Sequence, residues 1–211
     1  MEDSRLMLLK EPALAEQAPE QPGLPASDKT LAEACRRGDP DAFRALFERY
    51  KDAIYSVALR YSGDQASAQD ITQETFLKAF TAIHNFRGDA ALKSWLYRLA
   101  VNCCFDQKRR RRRLTPLLDE VLAYLPSTQS GAFEDVLRAE VSGKVQAAVA
   151  GLSDAHRILI VLRYTEGLSY DQIAEVLGYS AGTVASRLSR IHRILERRLA
   201  RFATQHKGGR S

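Results

Sequence analysis

The sequence predicts an all-α fold in which two small helical domains are joined by a flexible linker. Apolar residues recur at three- and four-residue spacings through most of the chain, and no strand-like alternation of two residues appears. Six of the seven prolines lie in two stretches that lack such a period, 1–28 and 114–139. The 211 residues are 45% hydrophobic and 27% charged, which is enough for one or two small cores.

These patterns divide the chain into five segments. We expect a disordered tail (1–28), a first helical domain (29–113), a flexible linker with room for short helical turns (114–139), a second helical domain (140–204) and a C-terminal tail (205–211). The first tail combines prolines with scattered acids and no apolar period, a composition typical of disorder.

The first domain opens with a long amphipathic helix. Asp39 is suited to cap it, and Pro40 suits the first turn, where no N–H is needed. Its predicted buried stripe is Phe43, Leu46, Phe47, Tyr50, Ile54, Val57, Ala58 and Tyr61.

A second helix is predicted over residues 70–80. Its apolar side, extended by one later residue, is Ile71, Phe76, Leu77, Phe80 and Ile83. Its outer side carries Asp70, Gln73, Glu74 and Lys78. Composition alone leaves plain solvation open for these four polar residues.

A third helix, from about Leu92, has two different faces. One should pack in the core through Leu96, Leu99, Ala100 and Cys103. The other carries Trp95, Arg98, Asn102 and Asp106 within about a quarter of the circumference. An exposed Trp beside Arg and Asn, preceded by an exposed Phe86 in the loop, suits stacking on and reading an unpaired base.

Six consecutive cations, Lys108 to Arg113, follow that face. Repulsion between like charges disfavours a helix in this run. The run therefore indicates contacts with phosphates, although a solvated tail remains the alternative.

The second domain begins near Glu140. A first stripe is formed by Val145, Ala148, Val149 and Leu152. Ser153 then caps a helix whose core face is Ile158, Leu159, Val161 and Leu162.

Residues 168–195, LSYDQIAEVLGYSAGTVASRLSRIHRIL, indicate a helix-turn-helix. Ser169 and Gln172 have the spacing of a capping box, and Leu168 and Ile173 that of a hydrophobic staple. Gly178 suits the left-handed residue that ends the first helix. The next residue but one, Ser180, is placed to cap the second helix.

The second of these helices should bury Val184, Leu188, Ile191 and Leu195. Its remaining surface carries Gly182, Ala185, Ser186, Ser189, Arg190 and Arg193. Small residues permit close approach, and Arg pairs with guanine edges or phosphates, so this face favours DNA binding. The alternative is an ordinary amphipathic helix with a solvated basic face.

Composition argues against several classes of protein. Three cysteines, two of them adjacent, indicate neither a disulfide framework nor a paired-Cys zinc site. This cysteine content is consistent with a reducing cytoplasm. No signal peptide or membrane span is expected. The four histidines are dispersed, with no metal-ligand spacing or phosphate-binding Gly loop, so we expect neither enzymatic activity nor a cofactor or metal.

Four stretches in order resemble the extracytoplasmic-function (ECF) sigma factors of bacterial RNA polymerase. They are GDPDAFRALFERY, SAQDITQETFLKAF, FRGDAALKSWLYRLAVN with its basic tail, and GLSYDQIAEVLGYSAGTVASRLSRI. The resemblance covers residues 31–199 and implies a region 2-like and a region 4-like domain. It implies a transcription initiation subunit, often tied to a stress response, that binds core polymerase through the β′ clamp and β flap, binds promoter DNA, and is held by an anti-sigma factor.

The resemblance also implies residue roles. The β′ clamp would be contacted by Asp70, Gln73, Glu74 and Lys78. The minus-10 element would be contacted by Phe86, Trp95 and Asn102 around a flipped base, and by Arg98, Lys108 and Arg109 on the backbone or upstream duplex. The minus-35 element would be read by Ser186, Ser189, Arg190 and Arg193.

One position departs from the family pattern. Ala185 stands where many members carry a basic residue, so one customary minus-35 contact is missing. The alternative function is a helix-turn-helix regulator that acts alone on duplex DNA. That alternative accounts for residues 140–205 but leaves Trp95 and Asn102 without a role.

Overall fold

The computed structural model describes residues 27–88, 90–122 and 145–205. Side chains are described for the same ranges except residues 112, 114–122 and 201–205. The predicted N-terminal tail up to residue 26, most of the predicted linker, the start of the second domain and the last six residues lie outside the described residues.

Eight helical segments are described, and none of the described residues lies in a strand, so the prediction of an all-α fold is confirmed. They are α1 (Asp28–Arg36), α2 (Pro40–Ser62), α3 (Gln65–Ala82), α4 (Leu92–Leu122), α5 (residues 145–150), α6 (Asp154–Ile160), α7 (Tyr170–Leu177) and α8 (Ala181–Gln205). A 3₁₀ turn, Ile83–Asn85, follows α3, and a π turn, Val161–Thr165, continues α6.

Helix α1 is not predicted by the sequence pattern, which places the first helix at α2. Ser27 caps α1 by accepting a hydrogen bond from the Thr30 backbone N–H at 3.2 Å. Leu31 and Cys35, four residues apart, are both buried. The capping residue and the apolar spacing of α1 are present in the sequence, but they span few residues. They also directly follow the proline-rich tail, which obscures them.

Helices α2, α3 and α4 pack together around the core of the first unit, with α1 against α2. The predicted caps are present, since Asp39 accepts from the Asp41 N–H at 2.9 Å and Pro40 occupies the first turn. The predicted burial of Leu77 and Phe80 is wrong, because they are 60% and 57% exposed. Helix α3 instead buries Ile71, Thr75, Phe76 and Ala79.

The cationic run does not end α4, contrary to the expectation that it would make a poor helix, and α4 continues to Leu122. Three of its guanidinium groups lie against carboxylates. Arg109 pairs with Asp106, Arg110 with Glu74, and Arg111 with Asp64 at 3.1 Å. These pairs offset the repulsion between neighbouring cations.

The second unit contains the predicted helix-turn-helix in α7 and α8. The Ser169 and Gln172 capping box is complete, and Gly178 is left-handed with φ of 69°. Leu168 and Ile173 are buried, as a hydrophobic staple requires. The predicted burial of Val145 is wrong, because this side chain is 43% exposed on the described part of α5.

The two units pack directly against each other. Buried apolar residues of both form one continuous cluster. Helix α4 contacts α7, and α2 contacts α6 and the π turn. The faces predicted to bind DNA are therefore positioned by packing between the units as well as within each one.

Candidate nucleic-acid interface

The outer surface of α3 carries the residues predicted to bind polymerase. Asp70 and Gln73 are exposed, whereas Glu74 and Lys78 are half-buried. Lys78 Nζ lies 3.0 Å from a Glu74 oxygen and 3.2 Å from Asp106 Oδ2 on α4. The structure thus brings Glu74 and Lys78 into an ion-pair network and leaves Asp70 and Gln73 available.

This network alters the titration of its members. The Arg109 guanidinium, helped by Lys78 and opposed by burial, holds the pKa of Asp106 below its usual value. Burial raises the pKa of Glu74, but Lys78 and Arg110 outweigh it and the net shift is downward. Burial likewise lowers the pKa of Lys78, and hydrogen bonds to Glu74 and Asp106 reverse this into a net rise. All three groups are therefore held in their charged forms.

Leu77 and Phe80 lie on the same outer surface and are missed by the sequence prediction. The Phe80 ring meets Phe43 edge-on at 4.9 Å between centroids, and Phe47, 37% exposed, meets Phe76 at 4.8 Å. The helical period of the sequence indicates this exposure. Leu77 follows the buried Ile71 by six residues, which places it about 240° around the helix axis from Ile71. The result is an exposed apolar patch beside Asp70 and Gln73.

Phe86, predicted to be exposed, is only 8% exposed. Its ring centroid lies 5.2 Å from that of Trp95 with a 47° tilt, and Trp95 is itself partly buried against the core. The loop turns Phe86 inward because burying a Phe ring is worth roughly 2 kcal/mol. Phe86 therefore supports Trp95, and Arg98 and Asn102 are the exposed members of this face.

A cleft of about 580 Å³ opens between α1 and the loop before α4. Phe86, Arg87 and Gly88 line it together with α1 residues that include Lys29 and Arg36. Trp95 and Asn102 are not among its lining residues. The residues predicted to surround one flipped base are therefore not gathered around this cleft.

Three α4 side chains at the edge of the predicted minus-10 face bind the second unit. The Ser94 hydroxyl donates to Glu175 Oε2 at 2.6 Å, and the Tyr97 hydroxyl donates to Glu166 Oε2 at 2.6 Å. Arg98 donates to the backbone carbonyl of Glu175. No local sequence signal indicates these contacts, because their partners are 69 to 81 residues apart.

The remaining predicted minus-10 residues lie further along α4. Lys108 is half-buried, and Arg109 is exposed and paired with Asp106. A phosphate that binds Arg109 must therefore compete with a carboxylate on the same helix. Because the Arg109 side chain is 68% exposed, water screens its pair with Asp106, and a phosphate can replace the carboxylate.

On α8 the predicted minus-35 residues share one exposed face: Ser186, Ser189, Arg190 and Arg193. The opposite stripe of Val184, Leu188 and Ile191 is buried, as predicted, while Leu195 is half-buried. Burial, together with the positive charges of Arg187 and Arg190, lowers the pKa of His156. The exposed guanidinium groups of Arg190 and Arg193 give this face a positive potential, which attracts a polyanion.

Arg187 is a further cation of α8 and does not belong to the exposed face. Its guanidinium carbon lies 4.2 Å from the centroid of the Tyr179 ring, in the turn before α8. This stacking orients Arg187 towards the turn. It leaves Arg190 and Arg193 as the exposed guanidinium groups of the predicted set.

Within the described residues, no three His, Cys, Asp or Glu side chains are grouped as a metal site. None of the helices in the same part of the chain is long and apolar enough to cross a membrane.

Two family models match the chain: Sigma-70 region 2 over residues 46–114 and Sigma-70 region 4 over residues 142–194. The RNA polymerase sigma-H factor of Pseudomonas aeruginosa is 35% identical over 180 residues, which cover 82% of this chain and 93% of that relative. The ECF RNA polymerase sigma factor SigW of Bacillus subtilis is 33% identical over 172 residues, 78% of this chain and 92% of the relative.

Two solved structures share the fold. CnrH, in complex with the cytosolic domain of CnrY, has a TM-score of 0.62 and 26% identity, covering 82% of this chain and 97% of that one. The sigma factor RpoE of Bartonella quintana, in complex with the anti-sigma factor NepR, has a TM-score of 0.57 and 25% identity, covering 75% and 96%. Because these similarities span both helical units in the same order, the chain belongs to the ECF family of RNA polymerase sigma factors.

Proposed function

We propose that this sigma factor docks on core RNA polymerase through α3, contacts the minus-10 element with α4 and reads the minus-35 element with α8. The observation that carries the proposal is the presence of three separate outward faces, each on a helix fixed by a buried opposite face. One face is apolar with polar edges, whereas the other two expose arginine with small or amide side chains.

The polymerase-binding face is extended by the apolar patch next to Asp70 and Gln73. Leu77 and Phe80 are more than half exposed. An exposed apolar cluster bordered by polar residues is typical of a protein–protein interface. We propose that Leu77 and Phe80 fill a recess on the clamp while Asp70 and Gln73 form its hydrogen-bonded edge. Glu74 and Lys78 then act mainly by holding α3 against α4.

The minus-10 face uses Arg98 for phosphate and Asn102 for a base edge. Trp95 offers a partly exposed ring for stacking, and Phe86 fixes its orientation from behind. Removing a base from the stack costs a few kcal/mol, which stacking and hydrogen bonding on such a face offset. Lys108 and Arg109 extend the positive surface along the duplex upstream.

The minus-35 face uses Arg190 and Arg193, with Ser186 and Ser189 allowing close approach. Arg190 follows Ser186 by one helical turn, so both point into the same groove. The role is noncatalytic, in the cytoplasm where polymerase transcribes the nucleoid. Since the similar sigma factor RpoE is solved with the anti-sigma factor NepR, we also propose an anti-sigma factor for this chain.

The decisive experiment combines the purified full chain with core polymerase on fragmented genomic DNA and maps the 5′ ends of the transcripts. We expect start sites that share two upstream elements and that vanish when the chain is omitted. A stand-alone regulator would instead shift duplex DNA tightly by itself and give no new starts with core polymerase. That result would overturn the proposal.

The α3 patch is tested separately by Leu77→Ser and Phe80→Ser. Because both side chains are exposed, we expect the fold to be retained while binding to core polymerase weakens at least tenfold in a competition assay. Val145→Ser, an exposed apolar residue of the second unit, is the matched control. Equal binding by all three variants would exclude this face as the docking site.

A further inference from the structure

We infer that the cleft of about 580 Å³ between α1 and the loop before α4, called here the α1 cleft, is the docking site of residues 11–20 of the same chain. Docked there, this segment supports the loop and keeps Phe86 in place behind Trp95. The docking itself is independent of the proposed function, whereas its effect on transcription rests on that function.

The α1 cleft has an apolar floor and a cationic rim. The floor is formed by three buried apolar residues: Ala32, Phe86 and Leu92. The rim carries three exposed cations: Lys29, Arg36 and Arg87. A ligand that matches both parts is anionic and carries an apolar side chain.

The two described acids that line the cleft do not cancel its positive charge. Asp28 accepts hydrogen bonds from Arg49 at 2.9 Å and from the Tyr50 hydroxyl, so its carboxylate is already paired. Glu33 lies one helical turn before Arg36, which offsets its charge. The described lining residues therefore attract an anion.

Residues 11–20, EPALAEQAPE, have the complementary chemistry. They contain no Lys or Arg and three acids: Glu11, Glu16 and Glu20. Leu14 is the largest apolar side chain among them, and an alanine stands on each side of it. The segment thus offers one apolar side chain for the floor and carboxylates for the rim.

The chain enters α1 at the edge of the cleft, which puts this segment within reach. Ser27 caps α1, and the next two residues line the cleft. Residues 21–26 cover about 20 Å when extended, whereas the nine residues of α1 span only about 14 Å. Pro22 followed by Gly23 is typical of a turn, which would reverse the chain. So short a connection gives an effective concentration in the millimolar range, so even a weak contact is occupied.

The docked segment acts on the minus-10 face through Phe86. This side chain lines the cleft, and its ring centroid lies 5.2 Å from that of Trp95. Filling the cleft restrains Phe86, and Phe86 in turn holds the Trp95 ring in place for stacking on a base. Residues 11–20 therefore position the minus-10 face without contacting DNA themselves.

The first test places a photoreactive benzophenone amino acid at Leu14 in the whole 211-residue chain. After irradiation without DNA, mass spectrometry identifies the cross-linked peptides. We expect cross-links to α1 or to residues 86–92, with a yield at least fivefold above that from the same amino acid at Leu6. Equal yields from the two positions, or cross-links scattered over the chain, would overturn the docking.

A charge exchange then tests whether the rim recognises the acids. Glu16→Lys with Glu20→Lys should lower the yield of these cross-links at least fivefold. Lys29→Glu with Arg36→Glu, added to the same chain, should restore the yield, because the charges on both sides are then exchanged. Both rim side chains are exposed, so we expect the fold to be retained.

The matched control for the exchange is Glu2→Lys with Asp3→Lys. It changes the net charge by the same amount but lies outside residues 11–20. We expect the cross-links from Leu14 to be kept in this variant. Equal losses from the two lysine pairs would mean unspecific attraction and would overturn the docking.

Transcription with core polymerase separates this inference from the proposed function. The variant with lysines at Glu16 and Glu20 should give at least threefold fewer transcripts than wild type, and the exchange at the rim should restore them. Added lysines by themselves favour DNA binding, so their charge does not account for a loss. If wild type gives no promoter-specific transcript, the proposed function fails while the cross-linking result stands. If wild type is active and the lysine variant is equally or more active, the positioning role is overturned.

Discussion

At the scale of single residues, exposure distinguishes those that position a face from those that contact DNA. Phe86 and Trp95 are both aromatic, yet Phe86 is buried beneath the Trp95 ring. On α8, Arg187 is held by the Tyr179 ring, whereas Arg190 projects from the exposed face. Residue type alone does not separate these pairs, because the difference lies in which neighbour each side chain meets.

Arg190→Ala should weaken transcription from promoters that depend on a minus-35 element. A bidentate contact with a base is worth about 1–3 kcal/mol, so we expect a loss of roughly 5- to 150-fold in run-off transcription. Arg44→Ala, an exposed arginine on α2, is the control and should have no effect. An unchanged ranking of promoters in the Arg190 variant would mean that Arg190 does not read bases.

At the scale of elements, the sequence patterns that involve only neighbouring residues predicted the helix ends correctly. The cap at Asp39, the capping box before α7 and the glycine after it all depend on residues within a few positions of each other. The exposure of Leu77 was not anticipated because an apolar residue was assumed to face the core. The continuation of α4 through the cationic run was not expected, because the carboxylates that pair with Arg110 and Arg111 lie 36 and 47 residues away.

Ser169→Ala should destabilise the helix-turn-helix. The variant loses the side-chain acceptor for the Gln172 N–H, which lies at 3.2 Å, and half of the reciprocal capping box. We expect the free energy of unfolding in urea to fall by about 0.5–2 kcal/mol. Ser189→Ala, in the middle of α8, provides the comparison and should change it by less than about 0.5 kcal/mol. Equal effects of the two changes would show that the cap contributes nothing.

The ion pairs between α3 and α4 predict a dependence of stability on pH. The pKa values of Glu74 and Asp106 are lowered in the folded state, so their stabilisation is complete above their unfolded values, near pH 4, and is lost as pH falls through the folded values. Lys78→Met removes the cation that both share. The difference in Tm between wild type and this variant should be constant above about pH 5 and shrink towards pH 3.

The matched control for this measurement is Arg44→Met, whose exposed partner Asp41 is on the same helix. Its Tm should follow that of wild type at every pH, because exposed pairs contribute little. A Lys78 difference that persists unchanged at pH 3 would rule out the carboxylates as its source.

At the scale of the whole molecule, the two-unit organisation follows from local patterns but the packing between the units does not. Apart from α1, the helices were identifiable from their own apolar periods, and the order of the four matching stretches indicated the family. The contact of α4 with α7 joins Ser94 to Glu175, and nothing in the intervening sequence specifies it. Long-range hydrogen bonds of this kind depend on three-dimensional proximity that only the folded chain creates.

Arg157 provides a test of how strongly the units are coupled. Its guanidinium donates to the carbonyl of Tyr61 at 3.0 Å, near the C-terminus of α2, and to the carbonyls of Ala150 and Leu152 in its own unit. The last four carbonyls of a helix lack partners within it, and a cation there also complements the helix dipole. The Arg157 side chain thus donates hydrogen bonds to backbone carbonyls of both units.

We expect the wild-type chain to unfold in a single calorimetric transition, because its buried apolar cluster spans both units. Arg157→Leu should leave the Tyr61 carbonyl without this donor, lower stability by about 1.5–3 kcal/mol and split the transition in two. Arg163→Leu removes a donor to Leu168 within the second unit, so it should lower Tm without splitting the transition. If both variants keep one transition, the coupling between the units does not depend on Arg157, and the apolar cluster alone holds them together.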